Sequence, residues 1–347
     1  MAAGGNFFED FRLGQVLEHG PPRTITTGDA ALYTALYGSR FAPQCADTAA
    51  KALGLHRAPL DDLLVFHMVF GKSVPDISLN AVANLGYAQG RFLKPVYPGV
   101  TIAAASKVIG LKENANRQTG VVYVETTGRD DTGEAILTYV RWVMVRKRDP
   151  ESVVSPATVP DLAANVAPAD LKVPAPDIVR LPAALGGEGP AFADLKAGGR
   201  IDHGDGMTVE EAEHMLATRL YHNTARVHFN QHAEAKGRFG KRIVYGGHVI
   251  SIARALSFNG LATAWFIAGI NGGRHVNPCF AGDTVYAWTQ VLETHTHPAS
   301  PGTGLLRLRT IATKDHPCSE FPGPDASGTY PPYVILDLDY WAAMARH

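Results

Sequence analysis

The feature that most constrains this chain is an internal repeat. Residues 7–20 (FFEDFRLGQVLEHG) recur as residues 191–204 (AFADLKAGGRIDHG), 184 positions later. Residues 91–101 (RFLKPVYPGVT) recur as 274–284 (RHVNPCFAGDT), 183 positions later. Because nearly the same offset holds across most of each half, the chain is predicted to be a tandem duplication of one fold.

The repeat divides the 347 residues into three regions. Residues 1–150 form an N-terminal half and residues 191–347 a C-terminal half, and each is long enough to bury its own core. Residues 151–190 between them are rich in Pro and Ala without sustained periodicity. This stretch is predicted to be a linker that runs over the surface in extended form.

Each half shows the same coarse pattern of secondary structure. Residues 26–36 and 208–220 have helical character, and Thr208 with Glu211 suggests a capping box at the second of these helices. In the second half, GHVISIARALSFNG is apolar nearly all round from Val249 to Leu256, which indicates a helix buried on every face.

Strand-like segments follow in both halves and provide what such a helix needs around it. They are residues 101–111, 119–130, 134–148, 284–295, 304–314 and 333–341. The predicted fold class is therefore α+β, with a long buried helix wrapped by an antiparallel sheet in each half.

The strongest chemical signal is the stretch from residue 221 to 255. It places His228 five residues after Asn223 and then a glycine pair, Gly246 and Gly247, at the start of the buried helix. An imidazole exchanges protons near neutral pH. The first backbone N–H groups of a helix, here of Gly246, Gly247 and His248, favour an anion. This combination predicts proton transfer against a stabilised oxyanion.

Composition and spacing disfavour several other classes of function. With 32 Lys+Arg against 33 Asp+Glu, no basic field points to nucleic acid or to a membrane surface. The three cysteines are odd in number and far apart, so we expect buried thiols in a reducing compartment. No segment has about 20 uninterrupted apolar residues. We therefore expect a cytoplasmic protein with a small-molecule ligand.

A metal site is also not expected. His295 and His297 alternate along one predicted strand and so share a face, but the sequence offers no evident third ligand.

These motifs together resemble a known family. F-x-D-[FL]-x-x-G, then a helix, a loop with an amide and His228, I-V-x-G before the buried helix, and a Pro-x-x-Gly-Asp-Thr-like strand entry are similar to the MaoC-type (hydratase-2) enoyl-CoA hydratases of the hotdog fold. Both halves carry the pattern, as in double-hotdog members. The chain length, the linker and the sequence HNTARVHFN most resemble the mesaconyl-CoA hydratase (β-methylmalyl-CoA dehydratase) branch.

The family motif G-D-x-N-P-[LI]-H-x-D aligns with departures. Its histidine falls on His228, but its catalytic aspartate falls on Asn223, and Ala225, Arg226 and Asn230 replace the next Asn, the Pro and the final Asp. An amide cannot accept a proton at neutral pH, although its oxygen can hold a water. In the first half the two catalytic positions are Ser39 and Gln44. The resemblance therefore implies a non-catalytic first half that helps to form the acyl-CoA pocket.

The resemblance implies reversible hydration of mesaconyl-CoA by a hydro-lyase, with His228 as the base and Asn223 positioning the water or the ring. The Gly246 and Gly247 amides are expected to stabilise the enolate. The CoA thioester is the substrate, so we expect no cofactor, and we expect a homo-oligomer. The residues expected to bind substrate are Arg226, at a free carboxylate, with Tyr245 and His248 lining the pocket. The basic cluster Lys236, Arg238, Lys241 and Arg242 is open to two interpretations, contact with the CoA phosphates or a solvated loop.

Three alternatives remain open on the sequence. One is an (R)-specific hydratase for ordinary 2-enoyl-CoA chains. A second is a non-catalytic acyl-CoA-binding protein, which the amide at Asn223 favours. A thioesterase on the same fold is disfavoured, because no Asp or Glu lies between Gly246 and Gly260.

Overall fold

The computed structural model describes residues 4–154, 156–175 and 178–347. Its main element is one antiparallel sheet of eleven strands, in the order β1-β3-β4-β5-β2-β8-β11-β10-β9-β6, with β7 paired to β9. The strands are β1 (Val16–Thr24), β2 (Ala81–Phe92), β3 (Thr101–Glu113), β4 (Thr119–Arg129), β5 (Ala135–Arg146), β6 (Arg200–Asp202), β7 (Met207–Thr208), β8 (Phe266–His275), β9 (Thr284–His297), β10 (Ser300–Lys314) and β11 (Val334–Ala345).

Two longer helices, one from each half, pack on the inner face of this sheet, with shorter helices around them. The helices are α1 (Thr27–Tyr37), α2 (Ala42–Cys45), α3 (Asp47–Ala52), α4 (Asp62–Ile77), α5 (Ala183–Gly186), α6 (Glu211–Leu220), α7 (Arg226–Phe229), α8 (Gln231–Glu234), α9 (Gly246–Leu256) and α10 (Phe258–Leu261). None of the helices in the described ranges is long and apolar enough to cross a membrane.

The two halves meet where β2 pairs with β8. Outward from this junction the strand order is β5-β4-β3-β1 in the first half and β11-β10-β9-β6 in the second. The two orders correspond strand by strand, as a duplicated fold requires. Gly90 lies opposite Ile270, and a Cβ on Gly90 would come within 2.9 Å of the Ile270 Cβ, so glycine lets the two strands pair. The predicted α+β fold is confirmed, since α4 and α9 are each buried against an antiparallel sheet.

The predicted capping box at Thr208 and Glu211 is wrong. Thr208 ends the short strand β7, and its hydroxyl lies 2.9 Å from that of Thr284 on β9, so strand pairing takes the residue away from the helix. The capping box occurs in the first half instead. Thr26 Oγ1 accepts the Asp29 N–H at 3.2 Å, and the Asp29 carboxylate accepts the Thr26 N–H at 2.8 Å.

Residues 166–175 and 178–181, in the segment between the halves, pack along the outer face of the sheet, opposite α9. The Val166 N–H donates to Asn271 Oδ1 at 2.8 Å, and Trp341 Nε1 donates to the Val166 carbonyl at 2.9 Å. Leu171 and Ile178 are buried against Trp341 and its neighbours. The segment therefore covers apolar surface that would otherwise be exposed, and it includes the short helix α5.

The cysteines lie outside any disulfide. Cys279 and Cys318 are buried, as expected, and burial raises the pKa of both thiols. The expectation is wrong for Cys45, which is exposed at the end of α2.

Candidate active site

His228 is held in the orientation that a general base requires. Its Nδ1 lies 2.9 Å from the Ile243 carbonyl, so Nδ1 carries the hydrogen and Nε2 carries the free lone pair. Nε2 makes no hydrogen bond to a described residue. Burial lowers the pKa of His228 to about 4, against the opposing effect of the Ile243 carbonyl. At neutral pH the ring is therefore neutral and able to accept a proton.

The N-terminus of α9 supplies two free backbone donors. The N–H groups of Gly246 and Gly247 donate to no atom of the described residues, as expected in the first turn of a helix. The third donor expected from the sequence is not available, because the His248 N–H donates to the Tyr245 carbonyl at 2.8 Å. Of the three amides expected from the sequence, two are therefore free to bind an anion, at the positive end of the α9 dipole.

The glycine pair also allows aromatic rings to approach this helix end. A Cβ on Gly246 would lie 2.3 Å from Cε1 of His275. A Cβ on Gly247 would lie 2.3 Å from the Tyr245 ring and 2.6 Å from the His67 ring. Each distance is too short for any side chain, so both positions require glycine.

His275 is a site residue that the sequence analysis did not identify. It ends β8 with its ring over Gly246, and its Nε2 lies 3.1 Å from the hydroxyl of Tyr87, a residue of the first half. Burial, together with a smaller effect of the neighbouring His228, lowers the pKa of His275 to about 4. The repeat contained a signal for this residue, because His275 occupies the position of Phe92, 183 residues earlier, and so replaces an apolar side chain with an imidazole.

Asn223 fixes the loop that carries His228. The side chain is 5% exposed, and its Oδ1 accepts the Ala225 N–H at 3.0 Å. Its own N–H donates to the Thr218 carbonyl at 2.9 Å. The acceptor oxygen is thus used for a turn of the Asx type, while Nδ2 makes no hydrogen bond to a described residue.

Of the two predicted pocket residues, Tyr245 lies at the site and His248 is turned toward the first half. The Tyr245 ring is 5.5 Å from the His228 ring. His248 Nδ1 is hydrogen-bonded to the Tyr37 hydroxyl, 2.9 Å away. Burial lowers the pKa of His248 to about 3. The same Tyr37 hydroxyl lies 2.7 Å from that of Tyr221.

Tyr37 and Tyr221 occupy equivalent positions in the repeat, 184 residues apart. His67 and Ser251, also 184 residues apart, form a second such pair, with His67 Nε2 3.0 Å from Ser251 Oγ. Contacts between equivalent residues arise only near a twofold axis. The loop that carries Asn223 and His228 and the glycine pair therefore lie beside the pseudo-twofold axis that relates the halves.

The first half also supports this loop directly. Gly71 of α4 faces the start of that loop, and a Cβ on it would lie 1.8 Å from the Tyr221 carbonyl oxygen. No side chain fits there, so glycine on one helix determines how closely the loop of the other half approaches.

The equivalent place in the first half is filled by two carboxyl groups. Asp61 and Asp62 stand 184 positions before Tyr245 and Gly246. The Asp62 Oδ2 accepts the Ile267 N–H at 2.8 Å and the Gln44 side-chain amide at 3.2 Å. The Ser39 hydroxyl donates to Asp61 at 3.4 Å. Ser39 and Gln44, the aligned catalytic positions, thus hold these acids in place.

The other predicted residues lie on the surface. Arg226 is exposed, and its guanidinium makes no hydrogen bond to a described residue. In the basic cluster, Arg242 pairs with Glu211 and Lys241 Nζ lies 4.3 Å from the Phe280 ring centre, while Lys236 and Arg238 are exposed.

The two alternating histidines have protein partners. His295 pairs with Glu293 at 3.0 Å, and His297 Nε2 lies 3.1 Å from the Leu171 carbonyl. The described ranges contain no cluster of three His, Cys, Asp or Glu residues arranged to hold a metal ion.

Known proteins resemble this chain over its whole length. A protein-family model described as Mesaconyl-CoA hydratase matches residues 2–324. A Beta-methylmalyl-CoA dehydratase of Chloroflexus aurantiacus is 59% identical over 343 residues, covering 99% of this chain and 97% of that protein. A Mesaconyl-CoA hydratase of Cereibacter sphaeroides is 55% identical over 343 residues, covering 99% of this chain and 98% of that protein.

Solved structures resemble it equally fully. A MaoC domain protein dehydratase from Chloroflexus aurantiacus has a TM-score of 0.97 at 58% identity, covering 100% of this chain and 99% of that one. A conserved protein of Mycobacterium tuberculosis, described as having a double hotdog fold, has a TM-score of 0.72 at 25% identity, with 99% of both chains covered.

Proposed function

Because the chain belongs to the mesaconyl-CoA hydratase family, we propose that it catalyses the reversible hydration of mesaconyl-CoA (2-methylfumaryl-CoA) to β-methylmalyl-CoA. The observation that carries the proposal is a neutral imidazole with a free Nε2, at His228, in the same site as the two free helix amides of Gly246 and Gly247. Hydration of an enoyl thioester requires a group that takes a proton from water and donors that stabilise the negative charge on the thioester oxygen. The imidazole suits the first task and the two amides suit the second.

In the proposed reaction His228 removes a proton from water as the water oxygen attacks C3 of the acyl group. The electrons of the C2=C3 double bond move toward the thioester carbonyl, and the resulting enolate oxygen accepts hydrogen bonds from Gly246 and Gly247. His228 then returns the proton to C2. The net change adds H to C2 and OH to C3, and His228 ends in its starting state.

His275 and Tyr87 offer a substitute for the orienting role of the family's aspartate. The His275 ring lies against Gly246 at the start of α9, and the Tyr87 hydroxyl is hydrogen-bonded to that ring. We assign to His275 the orientation of the attacking water, with Tyr87 fixing the plane of its ring. Asn223 holds the loop through Oδ1, which leaves its Nδ2 as a further donor to that water.

The electron sink in this chemistry is the thioester carbonyl, so the proposal requires no added cofactor. The filled helix end at Asp61 and Asp62 supports a single catalytic site per chain, in the second half. The exposed residues Lys236 and Arg238 remain proposed contacts for the CoA phosphates, and a homo-oligomer remains a proposal for sedimentation analysis.

The test is to incubate the purified protein with mesaconyl-CoA and with crotonyl-CoA and to follow the enoyl-thioester absorbance. Loss with mesaconyl-CoA and formation of β-methylmalyl-CoA, identified by mass spectrometry, is the expected result. Faster loss with crotonyl-CoA would favour the broader 2-enoyl-CoA hydratase. Release of free CoA thiol would indicate a thioesterase, and no change with either substrate would indicate a binding protein.

A further inference from the structure

Arg141 is a fully buried arginine that lacks a counter-ion. It lies on β5 with 0% of its surface exposed, and it forms no salt bridge with any carboxylate in the described ranges. Its Nη2 donates to Ser73 Oγ at 2.7 Å and its Nη1 lies 3.5 Å from Ser78 Oγ, while Nε has no hydrogen-bond partner among the described residues. Its guanidinium carbon is 4.3 Å from the centre of the Phe70 ring.

No carboxylate of the described residues lies within salt-bridge distance of Arg141. The titratable groups that act on it are the hydroxyls of Tyr139, Tyr87 and Tyr245, and burial raises the pKa of each, so they are uncharged at neutral pH. Asp76, an acid on α4, is bonded to His19 Nδ1 at 2.7 Å. A guanidinium cannot shed its proton, and burying an unpaired charge costs several kcal/mol.

Contacts connect this buried charge to the candidate active site. Arg141 stands opposite Tyr87 in the pairing of β5 with β2, and the Tyr87 hydroxyl reaches His275 over Gly246. On the other side, the Phe70 ring lies 5.7 Å from the Tyr245 ring, which is the neighbour of His228. The Tyr139 hydroxyl, two residues along the same face of β5, is buried and also has no hydrogen-bond partner in the part of the chain that the structure describes.

The fold does not require an arginine at this position. In the second half the equivalent residue is Tyr340. Arg141 is paired with Val124 in the first half, and Tyr340 is paired with Leu308, which stands 184 positions after Val124. The equivalent of Tyr139 is Leu338 by the same register. The same sheet position is thus a neutral tyrosine in the second half, and it is a cation in the first half, which lacks the proposed base.

We propose that Arg141 is the counter-ion for the free carboxylate of the acyl group, with the Tyr139 hydroxyl as a second donor to that carboxylate and Ser73 holding the guanidinium in place. The inference rests on the proposed function, since mesaconyl-CoA carries a carboxylate on C3 and an ordinary enoyl-CoA does not. It places the specificity for dicarboxylic acyl groups in the first half. The exposed Arg226, the residue that the sequence offers for this role, is the competing candidate.

Binding of unreactive analogues tests the inference independently of turnover. The analogues are 2-methylsuccinyl-CoA, which has the free carboxylate, and 2-methylbutanoyl-CoA, which has a methyl group in its place. Dissociation constants are measured by calorimetry for the wild type, Arg141→Gln, Arg141→Lys and Arg226→Ala. Arg146→Gln, an exposed arginine on the same strand, is the matched control.

The wild type and Arg146→Gln should prefer the carboxylate analogue. Arg141→Gln should weaken its binding by about 100-fold and leave binding of the methyl analogue within about threefold, because only the former loses a desolvated charge partner. Arg141→Lys should recover part of the preference. Thermal melting should show Arg141→Gln no less stable than the wild type, since it removes an unpaired buried charge.

The inference is overturned if Arg141→Gln keeps the full preference, if it weakens both analogues equally, or if Arg226→Ala alone abolishes the preference. Its failure is separable from failure of the proposed function. A protein that does not hydrate mesaconyl-CoA but discriminates the analogues through Arg141 refutes only the reaction, and a hydratase whose preference ignores Arg141 refutes only this inference.

Discussion

In the proposed mechanism, His275 takes over the orienting role of a missing carboxylate. It stands over Gly246, bonded to Tyr87, in a site where the aspartate of related motifs is Asn223. Its pKa of about 4 leaves it neutral at physiological pH, so its contribution is to hold the water through hydrogen bonds rather than through charge.

Removing this ring should lower catalysis more than substrate binding. We expect His275→Ala to reduce kcat by about 10- to 100-fold with little change in KM, because orientation of the water matters in the transition state. Tyr87→Phe should give a smaller loss in the same direction. The control is His295→Ala, an exposed histidine of β9. Full kcat in His275→Ala, with unchanged thermal melting, would contradict the assignment.

Among the site residues, sequence reasoning found those that belong to contiguous motifs. His228, Asn223, Gly246 and Gly247 come from two short segments whose spacing is readable directly. His275 and Arg141 were missed because their significance comes from strand pairing and from burial. Each looks ordinary in the sequence, and only the register of β2 with β5 and β8 brings them toward the same helix end.

At the scale of elements, the N-termini of the two long helices differ sharply. That of α9 is bare, with two glycines and two free amides. That of α4 carries Asp61 as its cap and Asp62 beside it, and both carboxyl groups are buried. Burial, followed by the neighbouring Asp61, raises the pKa of Asp62 to about 8, although Arg254 acts in the opposite direction.

This raised pKa predicts a pH-dependent stability. Between its ordinary value of 3.8 and about 8, Asp62 holds a proton in the folded chain but not in the unfolded one, so stability falls as pH rises through that range. Asp62→Asn keeps an oxygen acceptor for the Ile267 N–H and removes the ionisation. Its melting temperature should therefore rise relative to the wild type between pH 5 and pH 8. Parallel curves for the two proteins would refute the raised pKa.

The helices and strands were predictable where the pattern was strong. The six strand segments and the buried helix α9 appear where periodicity placed them. The strands β2 and β8 were not predicted, because Ala, Gly and Asn dilute their apolar alternation and the pairing across the pseudo-twofold axis tolerates little side-chain bulk. The capping box at Thr208 failed because a two-residue strand uses that residue.

At the scale of the whole molecule, duplication followed by divergence accounts for the asymmetry. Both halves keep the same buried histidine, His19 or His203, hydrogen-bonded to hydroxyl groups of the sheet. They differ at the helix ends and at the Arg141 position, where one half has the base and the amides and the other has carboxyl groups and the unpaired cation. The repeat predicted the shared fold, whereas the division of labour depends on contacts between the halves.

The most direct test of this account is the turnover of mesaconyl-CoA by His228→Asn. Asparagine keeps a hydrogen-bonding group of similar size but cannot take a proton at neutral pH. If one site per chain acts through this base, kcat should fall by at least about 100-fold, with unchanged thermal melting and unchanged affinity for 2-methylsuccinyl-CoA. A variant that keeps more than about a tenth of wild-type kcat would show that the base lies elsewhere.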